Sequence, residues 1–188
     1  TGLTGVIFTF SPAGRQIGSA KHIDSQEEKL RLAEHTGVQI LLEYPFSETF
    51  AAMSPEAFVR TILVGQLGVK AVTVGSDFRF GSHRAGDARQ LQALGEQYQF
   101  QVQIFDKLRE ENEDISSSVI RNAIEAGNME RVTACLGRGY TISGTVVHGQ
   151  RLGHTIGIPT ANQTVPEDKL TPPYGVYAAR IHYGQELY

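Results

Sequence analysis

The first 105 residues alternate between short apolar runs and amphipathic stretches. Four runs rich in β-branched and aromatic residues predict strands, at 5–10, 38–44, 70–75 and 100–105. Between them, apolar side chains recur at helical spacing and predict helices at 22–37, 53–68 and 86–99. Strands that alternate with helices predict an α/β fold, a doubly wound parallel sheet with helices on both faces. The carboxyl ends of such strands lie along one edge, where ligands bind in this architecture.

Local signals mark the ends of two of these helices. Ser25 and Glu28 have the spacing of a capping box, and Gly37 follows as a stop. Ser54 and Pro55 have the order typical of a cap followed by a first turn. We therefore expect Ser25 and Ser54 to cap the helices within these two segments.

The pattern changes after Phe105. Residues 106–114 are charged and predict a solvated segment, and residues 115–139 are helical with a break at Gly127 and Asn128. From Tyr140 onward the runs are short and β-rich, with many glycines and prolines, which is typical of an antiparallel barrel or sandwich. We predict two domains, an α/β domain at 1–138 and part of an antiparallel β-barrel at 139–188.

Composition excludes several classes of function. The chain of 188 residues has 20% charged residues and a net charge of −3, so it lacks the basic surface that nucleic-acid binding requires. No apolar run reaches the length of a membrane span. The one cysteine, Cys135, fits a reducing compartment and a place in the core. We expect a cytoplasmic protein with small-molecule substrates and neither a nucleic acid nor a membrane as partner.

A polar and aromatic loop follows the third predicted strand, at the edge where ligands bind. Asp77 can accept hydrogen bonds from a ligand. Phe78, Arg79 and Phe80 can offer apolar contact and a cation to a planar ring, and Gly81 can let the backbone approach a phosphate. A surface loop whose phenylalanines fold back into the core explains the same composition equally well.

The segment "ISSSVIR" places hydroxyl groups directly before a predicted helix. The first N–H groups of a helix and its dipole favour an anion, and Ser117 and Ser118 lie at that point. Arg121, one turn further on, projects to the same side and can pair with the same phosphate. The alternative is a serine that simply caps the helix, with Arg121 on a solvated face.

The stretch from Gly144 to Asn162 is rich in glycine and has no helical period. Gly149, Gly153 and Gly157 recur at intervals of four residues, which can free backbone amides for a polyphosphate. Thr160 and Asn162 supply hydroxyl and amide oxygens of the kind that Mg²⁺ prefers. A glycine-rich hairpin with polar turn residues is the alternative interpretation.

Three segments occur together and in order: "VGSDFRFGSHRAGD", "ISSSVIR" and "GIPTAN…PPYGVYAARI". From about Gly5 to the end, the chain resembles the bacterial bifunctional riboflavin kinase/FMN adenylyltransferase family. The resemblance implies an N-terminal nucleotidyltransferase-like module that transfers AMP from ATP to FMN. It also implies a C-terminal six-stranded β-barrel that phosphorylates riboflavin, so the expected substrates are ATP, riboflavin and FMN, with Mg²⁺ as cofactor.

The resemblance assigns roles in the adenylylation site. It implies that Asp77 contacts the substrate and that residues 78–81 line the flavin side. It further implies that Ser117, Ser118 and Arg121 hold the ATP phosphates in the transition state.

The resemblance also assigns roles in the kinase site. Gly149 and Gly153 match the glycine-rich flap over the nucleotide, Thr160 matches the Mg²⁺ ligand, and Asn162 matches its neighbour in the nucleotide site. Flavin kinases and adenylyltransferases need little covalent help from protein, because geometry and charge neutralisation lower the barrier.

The chain also departs from the family pattern. The family's His-x-Gly-His segment should precede Thr1, Ser11 and Ala13 replace an acid and a histidine, and the kinase's acidic general base should follow Tyr188. We therefore expect the polypeptide as given to make neither FMN nor FAD. A non-catalytic flavin- or nucleotide-binding module and a monofunctional nucleotidyltransferase of the pantetheine or nicotinate type remain as alternatives.

Overall fold

The chain divides into two compact units, Thr1–Ile115 and Ser116–Tyr188. The computed structural model describes residues 2–11, 21–149, 157, 160–184 and 186–188. Among these residues no helix is long and apolar enough to cross a membrane. The predicted domain boundary at 138/139 lies after two helices that this division assigns to the second unit, and it stays a prediction.

Two parallel strand pairs form the longest ladders in the described part of the first unit. Strand β1 (Val6–Ser11) pairs with β2 (Ile40–Pro45), and β3 (Ala71–Gly75) pairs with β6 (Gln101–Phe105). Each of these strands falls on a run that the hydrophobic pattern predicted, within two residues at either end. Because both pairs are parallel, the predicted α/β class with parallel strands is confirmed.

Helices connect the strands of each pair. Between β1 and β2 lies α1 (Gln26–His35), where Ser25 and Glu28 form the predicted capping box and Thr36 is the C-cap. The remaining elements of the unit are α2 (Glu48–Ala51), α3 (Pro55–Phe58), β4 (Arg79–Phe80), β5 (Gly86–Asp87), α4 (Ala88–Tyr98), β7 (Arg109–Glu110) and β8 (Glu113–Asp114).

The second predicted helix has an unexpected interior. Ser54 caps α3 as predicted, but the chain then continues as a π-helical segment, Val59–Gln66. A wide-turn hydrogen bond from the Leu67 N–H to the Ile62 carbonyl, at 2.9 Å, marks the change from α-helical pairing. Val59 and Ile62 are completely buried, so this segment supplies the centre of the core.

The second unit begins with two helices. They are α5 (Ser117–Glu125) and α6 (Met129–Leu136), separated by the predicted break, and the side chain of Asn128 caps α6 through the Arg131 N–H at 3.0 Å. Cys135 is buried on α6, as predicted. The antiparallel pairs that follow are β9 (Thr145–Val147) with β10 (Asn162–Thr164), and β11 (His182–Tyr183) with β12 (Glu186–Leu187).

Candidate functional site

The turn after β3 is the first candidate site, and the backbone holds it at the carboxyl edge of the strands. The Ser76 N–H donates to the carbonyl of Phe105, the last residue of β6, at 2.8 Å. The Phe78 N–H closes the turn on Gly75 at 3.0 Å. Strands β4 and β5 then form a short antiparallel ladder in which Arg79 lies opposite Asp87. The turn therefore lies at the predicted ligand edge.

The two phenylalanines of this turn pack inwards. Phe80 is 7% exposed, and its ring centre lies 5.8 Å from that of Phe58 in the core. Phe78 stacks on Phe80 with 5.5 Å between ring centres and 15° between planes, and it is only partly buried. Of the two interpretations of this loop, the structure shows the one in which the phenylalanine rings fold towards the core. The ring of Phe80 has almost no surface for a flavin, whereas Phe78 keeps an exposed part.

Gly81 and Gly86 make close contacts with protein. Gly81 has φ +73°, and a Cβ built there would lie 2.7 Å from the backbone nitrogen of Pro55. A Cβ on Gly86 would lie 2.7 Å from the ring of Phe80. The Ser82 N–H adds a 2.6 Å hydrogen bond to the Met53 carbonyl. Packing of the turn therefore requires both glycines. This is not the reason that the sequence suggested for Gly81, which was close approach of the backbone to a phosphate.

Arg79 lines an open depression of about 240 Å³ beside the turn. Its guanidinium pairs with Asp87 across the β4–β5 ladder at 3.6 Å, and both side chains are roughly half exposed. Asp87 also caps α4 by accepting from the Gln90 N–H at 2.8 Å. The depression is completed by Ser76, Ala88 and Arg89. Arg89 is a cation that the sequence pattern did not single out.

Asp77 is held by a lysine from the neighbouring strand end. The Lys107 ammonium lies 3.0 Å from the Asp77 carboxylate and 3.9 Å from that of Asp114. The hydrogen bond from Lys107 lowers the pKa of Asp77, partial desolvation opposes it, and the charges of Lys107 and Arg84 add to the lowering. Asp77 is therefore an ionised, exposed acceptor at the ligand edge.

The three serines at the start of α5 differ in position, and only one of them caps the helix. Ser116 is the N-cap, and its hydroxyl accepts from the Val119 N–H at 3.3 Å. Ser117 and Ser118 occupy the first turn and are exposed, while Arg121 is partly buried one turn further on. Capping thus uses Ser116 alone of the three serines, which leaves the hydroxyls of Ser117 and Ser118 at the helix start.

Two of the predicted kinase residues lie side by side in the second unit. Asn162 begins β10 opposite Val147 of β9, and Gly149 follows β9. A Cβ on Gly149 would collide with the side-chain amide of Asn162. Thr160 is exposed just before β10. Gly153 lies outside the described residues.

Thr160 and Asn162 are also the residues to which the sequence assigned a metal. Among the described residues, no group of three or more His, Cys, Asp or Glu side chains could hold a metal ion. Thr160 and Asn162 are exposed oxygen donors. They fit Mg²⁺, which commonly takes few protein ligands and completes its shell with water and substrate phosphates.

The molecule has an α/β unit with an acidic turn at the carboxyl edge of its strands. A unit with a glycine-rich, antiparallel segment follows it. This order is that of a two-part protein with an α/β module before a β-rich one. The FAD synthetase family model matches residues 1–119 and the riboflavin kinase model matches residues 136–188. The chain therefore belongs to the FAD synthetase family.

Curated relatives agree with this membership, and a solved structure shares the fold. The chain is 34% identical to the bifunctional riboflavin kinase/FMN adenylyltransferase of Bacillus subtilis, over 100% of this chain and 60% of the relative. It is 40% identical to the Escherichia coli protein of the same description, over 82% of this chain and 49% of that one. A crystal structure described as a macrolide-efflux protein from Streptococcus pneumoniae superposes with a TM-score of 0.87 at 31% identity, over 99% of this chain and 62% of that one. The chain thus spans about half to three fifths of these proteins.

Proposed function

We propose that the protein serves FAD biosynthesis, by phosphorylating riboflavin to FMN and transferring AMP from ATP to FMN. The observation that carries this proposal is the match of two family models, in order, on one chain. The relatives from Bacillus subtilis and Escherichia coli bear the names of both activities. We also propose that the first unit completes a doubly wound sheet, that residues 139–188 belong to a β-barrel, and that the protein acts in the cytoplasm.

In adenylylation, a phosphate oxygen of FMN attacks the α-phosphorus of ATP, and pyrophosphate leaves. The exposed Asp77 carboxylate accepts a hydrogen bond from the flavin substrate, and Phe78 and Arg79 line that side of the turn. Ser117 and Ser118, at the positive end of α5, bind ATP phosphates together with Arg121. Gly81 and Phe80 support the turn and do not contact the flavin, because Gly81 packs against Pro55 and Phe80 is buried in the core.

In riboflavin phosphorylation, a ribityl hydroxyl oxygen attacks the γ-phosphorus of ATP, and ADP leaves. Gly149 and Gly153 belong to the flap over the nucleotide. The hydroxyl oxygen of Thr160 would hold Mg²⁺, with the side-chain amide of Asn162 beside it in the nucleotide site, and the ion would neutralise charge on the phosphates. The contact between Gly149 and Asn162 supports this assignment, because it brings the flap and the metal-binding strand together.

Flavin binding by this chain tests the adenylylation site. We expect the chain to quench FMN fluorescence and expect Asp77→Asn to weaken binding about 10-fold, since a hydrogen bond to a charged carboxylate is replaced by a weaker one to a neutral amide oxygen. The exposed Asp106, which directly follows β6, provides the matched control, and Asp106→Asn should bind like the wild type.

No quenching by the wild type, or equal binding by Asp77→Asn, would contradict the proposal. Binding by the native-length protein without any flavin turnover would instead identify a non-catalytic flavin-binding module.

A further inference from the structure

Lys107 is fixed in place by the two segments that flank it. On one side, the Ser76 N–H and the Phe105 carbonyl tie the end of β6 to the turn that carries Asp77. On the other side, the Ile115 N–H donates to the Leu108 carbonyl at 2.9 Å and closes the β7–β8 hairpin. The backbone on either side of Lys107 is therefore anchored, and its ammonium contacts the carboxylates of Asp77 and Asp114.

The β7–β8 hairpin also fixes the second acid that Lys107 meets. Arg109 lies opposite Asp114 in the ladder, and its Nε donates to that carboxylate at 2.8 Å. Asp114 in turn lies 3.9 Å from the Lys107 ammonium. The lysine is thus one member of a row of alternating charges that ends at Asp77.

The two ends of this row differ in exposure. The Lys107 side chain is 33% exposed, whereas that of Asp77 is 63% exposed. An ammonium group has three donors and a carboxylate can accept about four hydrogen bonds, so the pairing with Lys107 leaves acceptor capacity on Asp77. That open acceptor capacity lies at the ligand edge of the strands.

We propose that Lys107 is a positioning residue for FMN adenylylation, which holds the Asp77 carboxylate so that it accepts a hydrogen bond from an N–H or O–H donor of the flavin. The inference rests on the proposed function, because Asp77 is the substrate contact there. An ionised carboxylate accepts and cannot donate, so the group it selects is a donor such as the ring imide or a ribityl hydroxyl.

Electrostatics supports this role. The Lys107 hydrogen bond is the largest cause of the lowered pKa of Asp77, and the charge of Arg84 acts in the same direction. Asp114 and Arg109 lie behind Lys107 in the charge row. Removing the lysine charge raises the pKa of Asp77, so Asp77 becomes protonated, and stops being a pure acceptor, at a higher pH than in the wild type.

The test compares Lys107→Met, Lys107→Arg and Lys70→Met, the last being an exposed lysine of the same unit. An NMR titration of the Asp77 carboxyl carbon needs no flavin and reports the lysine's effect directly. We expect the Asp77 midpoint to rise in Lys107→Met, to stay near the wild-type value in Lys107→Arg and to be unchanged in Lys70→Met. An Asp77 midpoint that is unchanged in Lys107→Met would overturn the proposal.

FMN binding measured across pH is the second readout. We expect Lys107→Met to weaken FMN binding several-fold and to lose it at a higher pH as the solution is acidified, with Lys107→Arg restoring both. If Asp77→Asn weakens binding while Lys107→Met matches the wild type at every pH, the positioning role alone is wrong. If Asp77→Asn itself binds FMN like the wild type, the function assigned to Asp77 fails and the positioning role falls with it.

Discussion

Gly81 and Gly37 both have positive φ but differ in their surroundings. Gly81 has φ +73° and a Cβ at this position would meet Pro55, whereas Gly37 has φ +76° and a Cβ there would have nothing within 4 Å. Positive φ strains alanine at both positions, and Gly81, whose ψ is 177°, has an extended positive-φ backbone that essentially only glycine adopts. The turn that carries Asp77 therefore depends on a residue without a side chain at position 81.

We expect Gly81→Ala to destabilise the chain by about 1–3 kcal/mol more than Gly37→Ala, since a methyl group must displace backbone atoms. Urea unfolding followed by far-UV circular dichroism measures both variants. Equal urea midpoints for the two variants would show that the turn accommodates the methyl group without loss of stability, and that packing does not require Gly81.

Individual residues show where the sequence could and could not predict the candidate site. The position of Asp77 at a strand end followed from the run of apolar residues before it. The burial of Phe80 could not be predicted in this way, because the residue types of the loop are the same whether its rings face the core or the solvent. Lys107 was not identified, since its meeting with Asp77 depends on the pairing of β3 with β6 and not on any local pattern.

At the element scale, the cap of α5 separates a structural serine from the two proposed binding serines. Ser116 accepts from the Val119 N–H, whereas Ser117 and Ser118 are exposed in the first turn. The loss of a capping hydroxyl costs about 1 kcal/mol of helix stability. Loss of an exposed hydroxyl costs much less.

We expect Ser116→Ala to lower the protection free energy of the α5 amides by about 1 kcal/mol. Ser117→Ala and Ser118→Ala should change it by less than about 0.5 kcal/mol and should weaken ATP binding instead. Amide hydrogen exchange and an ATP titration provide the two measurements. If Ser117→Ala loosened α5 as much as Ser116→Ala, the division of roles would be wrong.

Elements with local signals were predicted well from the sequence. Residues close together in the sequence determine the capping box of α1, the cap of α3 and the break between α5 and α6. The π-helical interior after α3 has no such signal, whereas the short α2 was missed although Ser47 caps it. The β7–β8 hairpin turns through Glu111 and Asn112, both with positive φ, within a segment whose charge predicted only solvation.

At the scale of the whole molecule, two family models follow one another on a chain that forms two compact units. The two matched activities have FMN in common, as the product of one and the substrate of the other. The α/β class of the first unit could be predicted from its alternating strands and helices, and the order of the two family segments from the order of the three motifs. Closure of a barrel depends on pairing between distant strands, which short β-rich runs do not specify.

The most direct test of the proposed function supplies riboflavin and MgATP to the native-length protein and separates the flavins by chromatography. We predict that the wild type forms FMN and then FAD, and that Asp77→Asn forms FMN but about 10-fold less FAD. Asn162→Ala should fail to phosphorylate riboflavin, yet convert supplied FMN to FAD. Absence of both products from the wild type, or wild-type product ratios in both variants, would contradict the assignment of the two flavin reactions to separate sets of residues.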